Sequence, residues 1–96
     1  MLLDGRVGRF MTKENFNQNG RSAGDATGNA VKCLSENATC WCIQGYISKL
    51  YPENEVEEIL SHVYRNYFNQ QIKNMHRFND ENPFEVVHAK VLEMGL

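Results

Sequence analysis

The run Ser35–Leu50, "SENATCWCIQGYISKL", decides how this chain folds. It holds two of the three cysteines, the only tryptophan and a central glycine. Ser35 has the chemistry of a helix N-cap, with Glu36 next in the first turn. At about 100° per residue, Cys40, Cys42, Ile43, Tyr46, Ile47 and Leu50 fill one broad helical face. Ala38, Trp41 and Gly45 form a second apolar strip beside it. Only Gln44 and Ser48 mark a polar edge. A helix apolar around most of its girth is buried. The spacing therefore predicts a central helix over 35–51, stopped by Pro52. Ala38 and Gly45 are small enough for a neighbouring backbone to approach closely.

Working outward, Pro52 fits the first helical position, and Glu53, Glu55, Glu57 and Glu58 suit the positive end that follows. Val56, Ile59, Leu60, Val63, Tyr64, Tyr67 and Phe68 recur at i, i+3, i+4, i+7, the strongest helical pattern in the chain. The stripe continues to Phe78 but drifts sideways, which puts a bend or break near Asn69–Gln71. The reading is a helix over 53–78. Asn79–Pro83 reads as a turn. Asn82 then caps, Pro83 opens and Glu85 supports a last helix over 83–94, with Gly95 as its stop. Residues 1–34 read as loop-rich. Leu3, Val7, Phe10 and Met11 have helical spacing, and Asn15–Lys32 is a long polar loop of a kind often functional. No segment reads as a credible strand. The expected fold is all-α, one domain over 1–96, a small bundle of three to five helices.

Composition narrows the function classes. The chain has 96 residues, 42% of them hydrophobic, with formal net charge −2. That charge disfavours a dedicated nucleic-acid binder, which is usually strongly basic. No run of 18 apolar residues exists to span a membrane, and the first residues lack a signal-peptide core. Three cysteines without a secretory signal fit reduced thiols and a cytoplasmic setting better than a disulfide framework. Arg6, Arg9, Lys13 and Arg21, interleaved with Phe10 and Phe16, make a mildly basic stretch that reads as a solvated face.

An ordered pattern runs through these segments: Asp25-Ala26-Thr27-Gly28, Val31, Ala38, Trp41-Cys42, Gly45, Phe78-Asn79-Asp80 and Val86-Val87. It resembles a small family of uncharacterised bacterial and bacteriophage proteins with an A-R-D-A-x-G loop, a W-C-x-x-G-A helix and a W-N-D turn. The resemblance covers about residues 16 to 94. It departs at Gly24, where the family has Arg, at Tyr46 for Ala, and at Phe78 for Trp. What it implies is an all-helical fold, with no activity attached.

Candidate sites follow from residue chemistry. On a helix Cys40 and Cys42 diverge by about 160°, so one metal ion cannot take both. No C-x-x-C or H-x-x-x-H spacing exists, so no metal or cofactor is expected. Cys-Trp echoes two letters of the papain-like active-site run. A cysteine nucleophile would need His62, His76 or His88 as base and Asp80 to orient it. Against that, small buried cysteines are usually packing residues. Trp41 can serve as core or as a stacking platform. His88 sits in the middle of the last helix's apolar face, a place for a hydrogen-bonded core histidine or a ligand contact. Asp25, Asn79 and Asp80 can shape turns or rim a pocket. The binding candidates are thus Asp25, Trp41, Asn79, Asp80 and His88. The leading expectation is a non-catalytic binding or interaction module, phage-encoded and acting on a host component, with a protein partner or self-association. The alternatives are a cysteine-dependent hydrolase and a sponge for a small anionic ligand.

Overall fold

The computed structural model describes residues 3–18 and 20–96. Among these, helices dominate, as expected, and they form one small domain. The order is α1 (Arg6–Phe10), β1 (Ala23–Gly24), β2 (Cys40–Trp41), α2 (Ile43–Leu50), α3 (Glu53–Tyr67), α4 (Ile72–Glu81) and α5 (Phe84–Glu93).

The central helix is shorter than the sequence predicts. It starts at Ile43, and Cys40–Trp41 is a strand paired antiparallel with Ala23–Gly24. The expectation of a helix from Ser35, with no strand in the chain, is corrected here. The reason lies in where the backbone hydrogen bonds go. The Trp41 N–H donates to Asn15 O at 2.8 Å and the Cys42 N–H to Ser22 O at 3.2 Å, so strand partners on both sides hold this run extended. Ser35 caps no helix; its hydroxyl accepts the Asn37 N–H and closes a local turn.

Gly45 explains how the two layers fit. A Cβ at this position would lie 1.8 Å from Ser22 O. The backbone of Ser22, just before β1, therefore packs straight onto α2. Only glycine permits that approach.

The predicted helix over 53–78 is two helices. α3 ends at Tyr67, and Asn69 and Gln70 take positive φ values of 54° and 63° before α4 begins. The break falls inside the window where the apolar stripe drifts. α4 also runs further than expected, so Asn79 and Asp80 lie on its last turn and not in a connecting loop. Asn82 does not cap α5. Its side chain donates to Phe78 O at 2.9 Å and closes the end of α4, while Pro83 O accepts the N–H groups of Val86 and Val87. α5 ends as predicted at Gly95, whose φ of 75° allows the Gly95 N–H to reach Leu92 O and the Leu96 N–H to reach Val91 O. This pair of bonds is a Schellman motif.

The core joins all five helices. Tyr46, Ile47, Ile59, Val63, Met75, Val87 and Val91 are fully buried. Each such side chain contributes about 1.5–3 kcal/mol by leaving water. The N-terminal helix is tied to the last one: Gly5 N–H donates to Gly95 O at 3.0 Å and Val7 N–H to Leu96 O at 2.5 Å. Among the described residues no helix is long and apolar enough to cross a membrane.

Candidate functional site

The start of α2 is capped from another helix. Asn79, only 2% exposed, accepts the Ile43 N–H with Oδ1 at 2.9 Å. Its Nδ2 donates to Asn17 O at 2.9 Å and to Asp80 Oδ1 at 3.0 Å. A donor on one side and carbonyl or carboxylate oxygens on the other fix the amide's orientation. One side chain thus ties α4, the head of α2 and the N-terminal loop together. Gln18 adds a second tie, donating to Asn79 O at 3.2 Å and to Asn82 O.

Beside this clamp is a cavity of about 340 Å³, lined by Gly20, Ser22, Cys42, Gln44, His76, Asn79 and Asp80. His76 and Asp80 are one turn apart on α4, so both face it. Cys42 occupies the N-cap of α2 with extended backbone. It is 6% exposed, yet it lies outside the apolar core cluster. Burial pushes its thiol up, opposed by the backbone N–H groups of Gly45 and Gln44. The Cys40–Cys42 argument changes with the fold, since i and i+2 share a side of an extended chain. Cys40 nonetheless turns to Gly24 O at 3.7 Å while Cys42 lines the cavity. Among the described residues, no group of three His, Cys, Asp or Glu is arranged to hold a metal ion.

The five predicted binding residues do not converge. Asn79 and Asp80 share the cavity. Asp25 organises its own loop: Oδ1 accepts from Thr27 N, Thr27 Oγ1 and Asn29 N at 2.8 to 2.9 Å. These hydrogen bonds, led by the Thr27 hydroxyl, hold its carboxyl below the usual range. Trp41 is 5% exposed, packs edge-on to Phe10 at 5.5 Å and donates from Nε1 to Cys33 O at 3.0 Å. His88 stacks on Phe84 at 5.2 Å, and its Nε2 lies 2.9 Å from Gly8 O. A carbonyl only accepts, so Nε2 carries the proton of that bond.

A second depression escapes the sequence reading. A groove of about 540 Å³ runs between Lys32–Leu34 and the corner joining α2 to α3. Cys33, Leu34, Tyr51 and Val56 give it an apolar lining, with Lys32 and Lys49 as its cations and Glu53 and Glu57 as its acids. Leu34 is 71% exposed at its edge. The Lys49 ammonium lies 4.8 Å from the centre of the Trp41 ring, a cation–π contact that fixes one wall. Leu34 lies at the end of the segment over 1–34 that reads as loop-rich, where a single leucine carries no periodic signal.

No family model, curated protein or solved structure matches this chain.

Proposed function

We propose that this protein is a non-catalytic interaction module that holds a segment of a protein partner in the groove beside Leu34. The observation that carries this reading is the 71% exposure of Leu34 at the edge of an apolar groove. A leucine left in water forgoes about 1.5–3 kcal/mol that burial against a partner recovers. Lys32 and Lys49 against Glu53 and Glu57 give the groove both signs of charge, which orients a bound segment. An extended peptide with an apolar anchor and flanking charges fits this surface. The mixed charge does not favour a small anion, and the cavity beside Asn79 carries a carboxylate. The resemblance to bacterial and bacteriophage proteins supports a phage-encoded module acting on a host component. Three free thiols support a reducing, cytoplasmic setting.

A second reading, a cysteine-dependent hydrolase, is favoured by one observation: Cys42 shares its cavity with His76 and Asp80. Against it, burial pushes the thiol up. Among the described residues no hydrogen bond joins Cys42 to His76, and geometry is the first requirement for such a pair.

The test is affinity capture from the native host with the wild-type chain and Leu34→Asp, alongside melting curves of both. A discrete partner lost in Leu34→Asp at unchanged melting temperature supports the module. A partner retained by Leu34→Asp contradicts it.

A further inference from the structure

The cavity at the head of α2 has a chemistry that the interaction groove does not share. Ser22, Gln44 and His76 are half-buried around it. Their side chains make no hydrogen bond to any described residue. Asp80 uses Oδ1 for Asn79 and, among the described residues, forms no ion pair. It is the sole formally charged side chain of the lining, since neither Lys nor Arg contributes. A helix start ordinarily attracts anions through its free N–H groups. Here the Ile43 N–H is engaged by Asn79 Oδ1 and the Tyr46 N–H by Cys42 O, and the buried, uncharged Cys42 thiol faces the N–H groups of Gln44 and Gly45. What remains is a carboxylate with three uncommitted polar side chains around a space the size of a small-ligand pocket.

We infer that this cavity binds a small cationic group bearing N–H donors, a guanidinium or a primary ammonium, with Asp80 as its counter-charge. Asp80 accepts only, so the group opposite it must donate, and a charged donor makes the stronger bond. Gln44 Oε1 and Ser22 Oγ supply further acceptors for a planar, several-donor head. His76, one turn before Asp80 on the same face, closes the side of the cavity. The same head group exists on free small molecules and on arginine side chains of a partner protein. This inference stands apart from the Leu34 groove.

The test is a titration of the full ¹⁵N-labelled chain followed by ¹H–¹⁵N NMR, with three probes. Agmatine represents the free guanidinium, Nα-acetyl-arginine N-methylamide the side chain in a peptide, and Nα-acetyl-citrulline N-methylamide the uncharged isostere. The expected result is saturable shifts centred on Gln44, His76 and Asp80 with a guanidinium probe and none with citrulline. Asp80→Asn keeps an oxygen for Asn79 and should weaken binding about tenfold or more. Gln44→Leu should also weaken it, at unchanged melting temperature. Saturation by agmatine alone assigns the site to a free ligand; saturation by both guanidinium probes assigns it to a side chain as well. Equal binding of citrulline, full binding by Asp80→Asn, shifts centred elsewhere or no saturable shift overturns the inference.

Discussion

Asn79 Oδ1 accepts the backbone N–H of Ile43 at 2.9 Å across 36 residues of sequence, so the last turn of α4 caps the first turn of α2. Truncating Asn79 would leave the Ile43 N–H without its buried acceptor and remove the donor that Asn79 gives the Asn17 carbonyl. Loss of a cap costs about 0.5–2 kcal/mol and a buried unsatisfied group about 1–3. Asn79→Ala is therefore expected to lose about 2–4 kcal/mol in urea denaturation. A loss below about 0.5 kcal/mol would show that water replaces the clamp without penalty.

Gly45 should tolerate nothing larger. Even the methyl of alanine would meet Ser22 O at 1.8 Å, and the obstacle is backbone. Gly45→Ala is expected to destabilise by at least about 3 kcal/mol despite alanine's better helix propensity. In a chain of this size that is a fall in melting temperature of about 12 °C or more. An equal or higher melting temperature would place Ser22 away from α2.

These two contacts also mark what the sequence could reveal. α3 is legible because its apolar residues repeat without a miss, and its start and that of α5 are signalled by Pro52 and Pro83. The smallness of Gly45 is legible too, as a place for close approach. The identity of the approaching backbone is not, because Ser22 is distant in sequence. Cys40 and Trp41 look helical because their apolar neighbours satisfy a 3.6-residue period. The N–H groups of Trp41 and Cys42 are claimed instead by Asn15 and Ser22, and local spacing carries no trace of that pairing. The groove was not legible because its walls come from separate segments, Lys32–Leu34 and the corner joining α2 to α3, and local spacing does not bring them together. Asn79 and Asp80 stood out as candidates. Asn79's structural task, and the cavity shared with Cys42, became visible only once α4 extended to Glu81.

The thiols should separate by environment. The thiolate is the reactive form, and burial disfavours it. Cys42 is 6% exposed and its thiol is pushed up, so it should alkylate more slowly than a free thiol. Peptide mapping after a short iodoacetamide exposure at pH 8 should find Cys42 the least modified of the three cysteines. Preferential labelling of Cys42 would instead support the hydrolase reading.

Stability should fall at both ends of the pH scale. The Arg6 side chain donates to both Asp4 oxygens, at 2.9 and 2.7 Å, and holds that carboxyl at about 2. Asp25 is lowered by its Thr27 and Asn29 donors. Both titrate near 4 in the unfolded chain, about the ordinary aspartate value, so the unfolded state takes up protons first as pH falls. Both contributions are complete above about pH 4 and shrink as pH falls below it, that of Asp4 being lost toward pH 2. Burial raises the Tyr46 and Tyr51 hydroxyls, so folding protects those protons. That contribution is complete below about pH 10 and declines above it. Urea midpoints should therefore form a plateau between these limits, and Asp4→Asn should flatten the acid limb. An acid limb identical in Asp4→Asn would remove Asp4 from this account.

The proposal that the Leu34 groove is the docking face is tested most directly by site-specific photo-crosslinking in cells of the native host. A benzophenone side chain replaces Leu34 in one variant and Ile72, also exposed but on α4, in another. The account predicts one discrete protein adduct from position 34, suppressed when Val56→Asp is added, and no such adduct from position 72. The same adduct from both positions, or none from position 34, would contradict it.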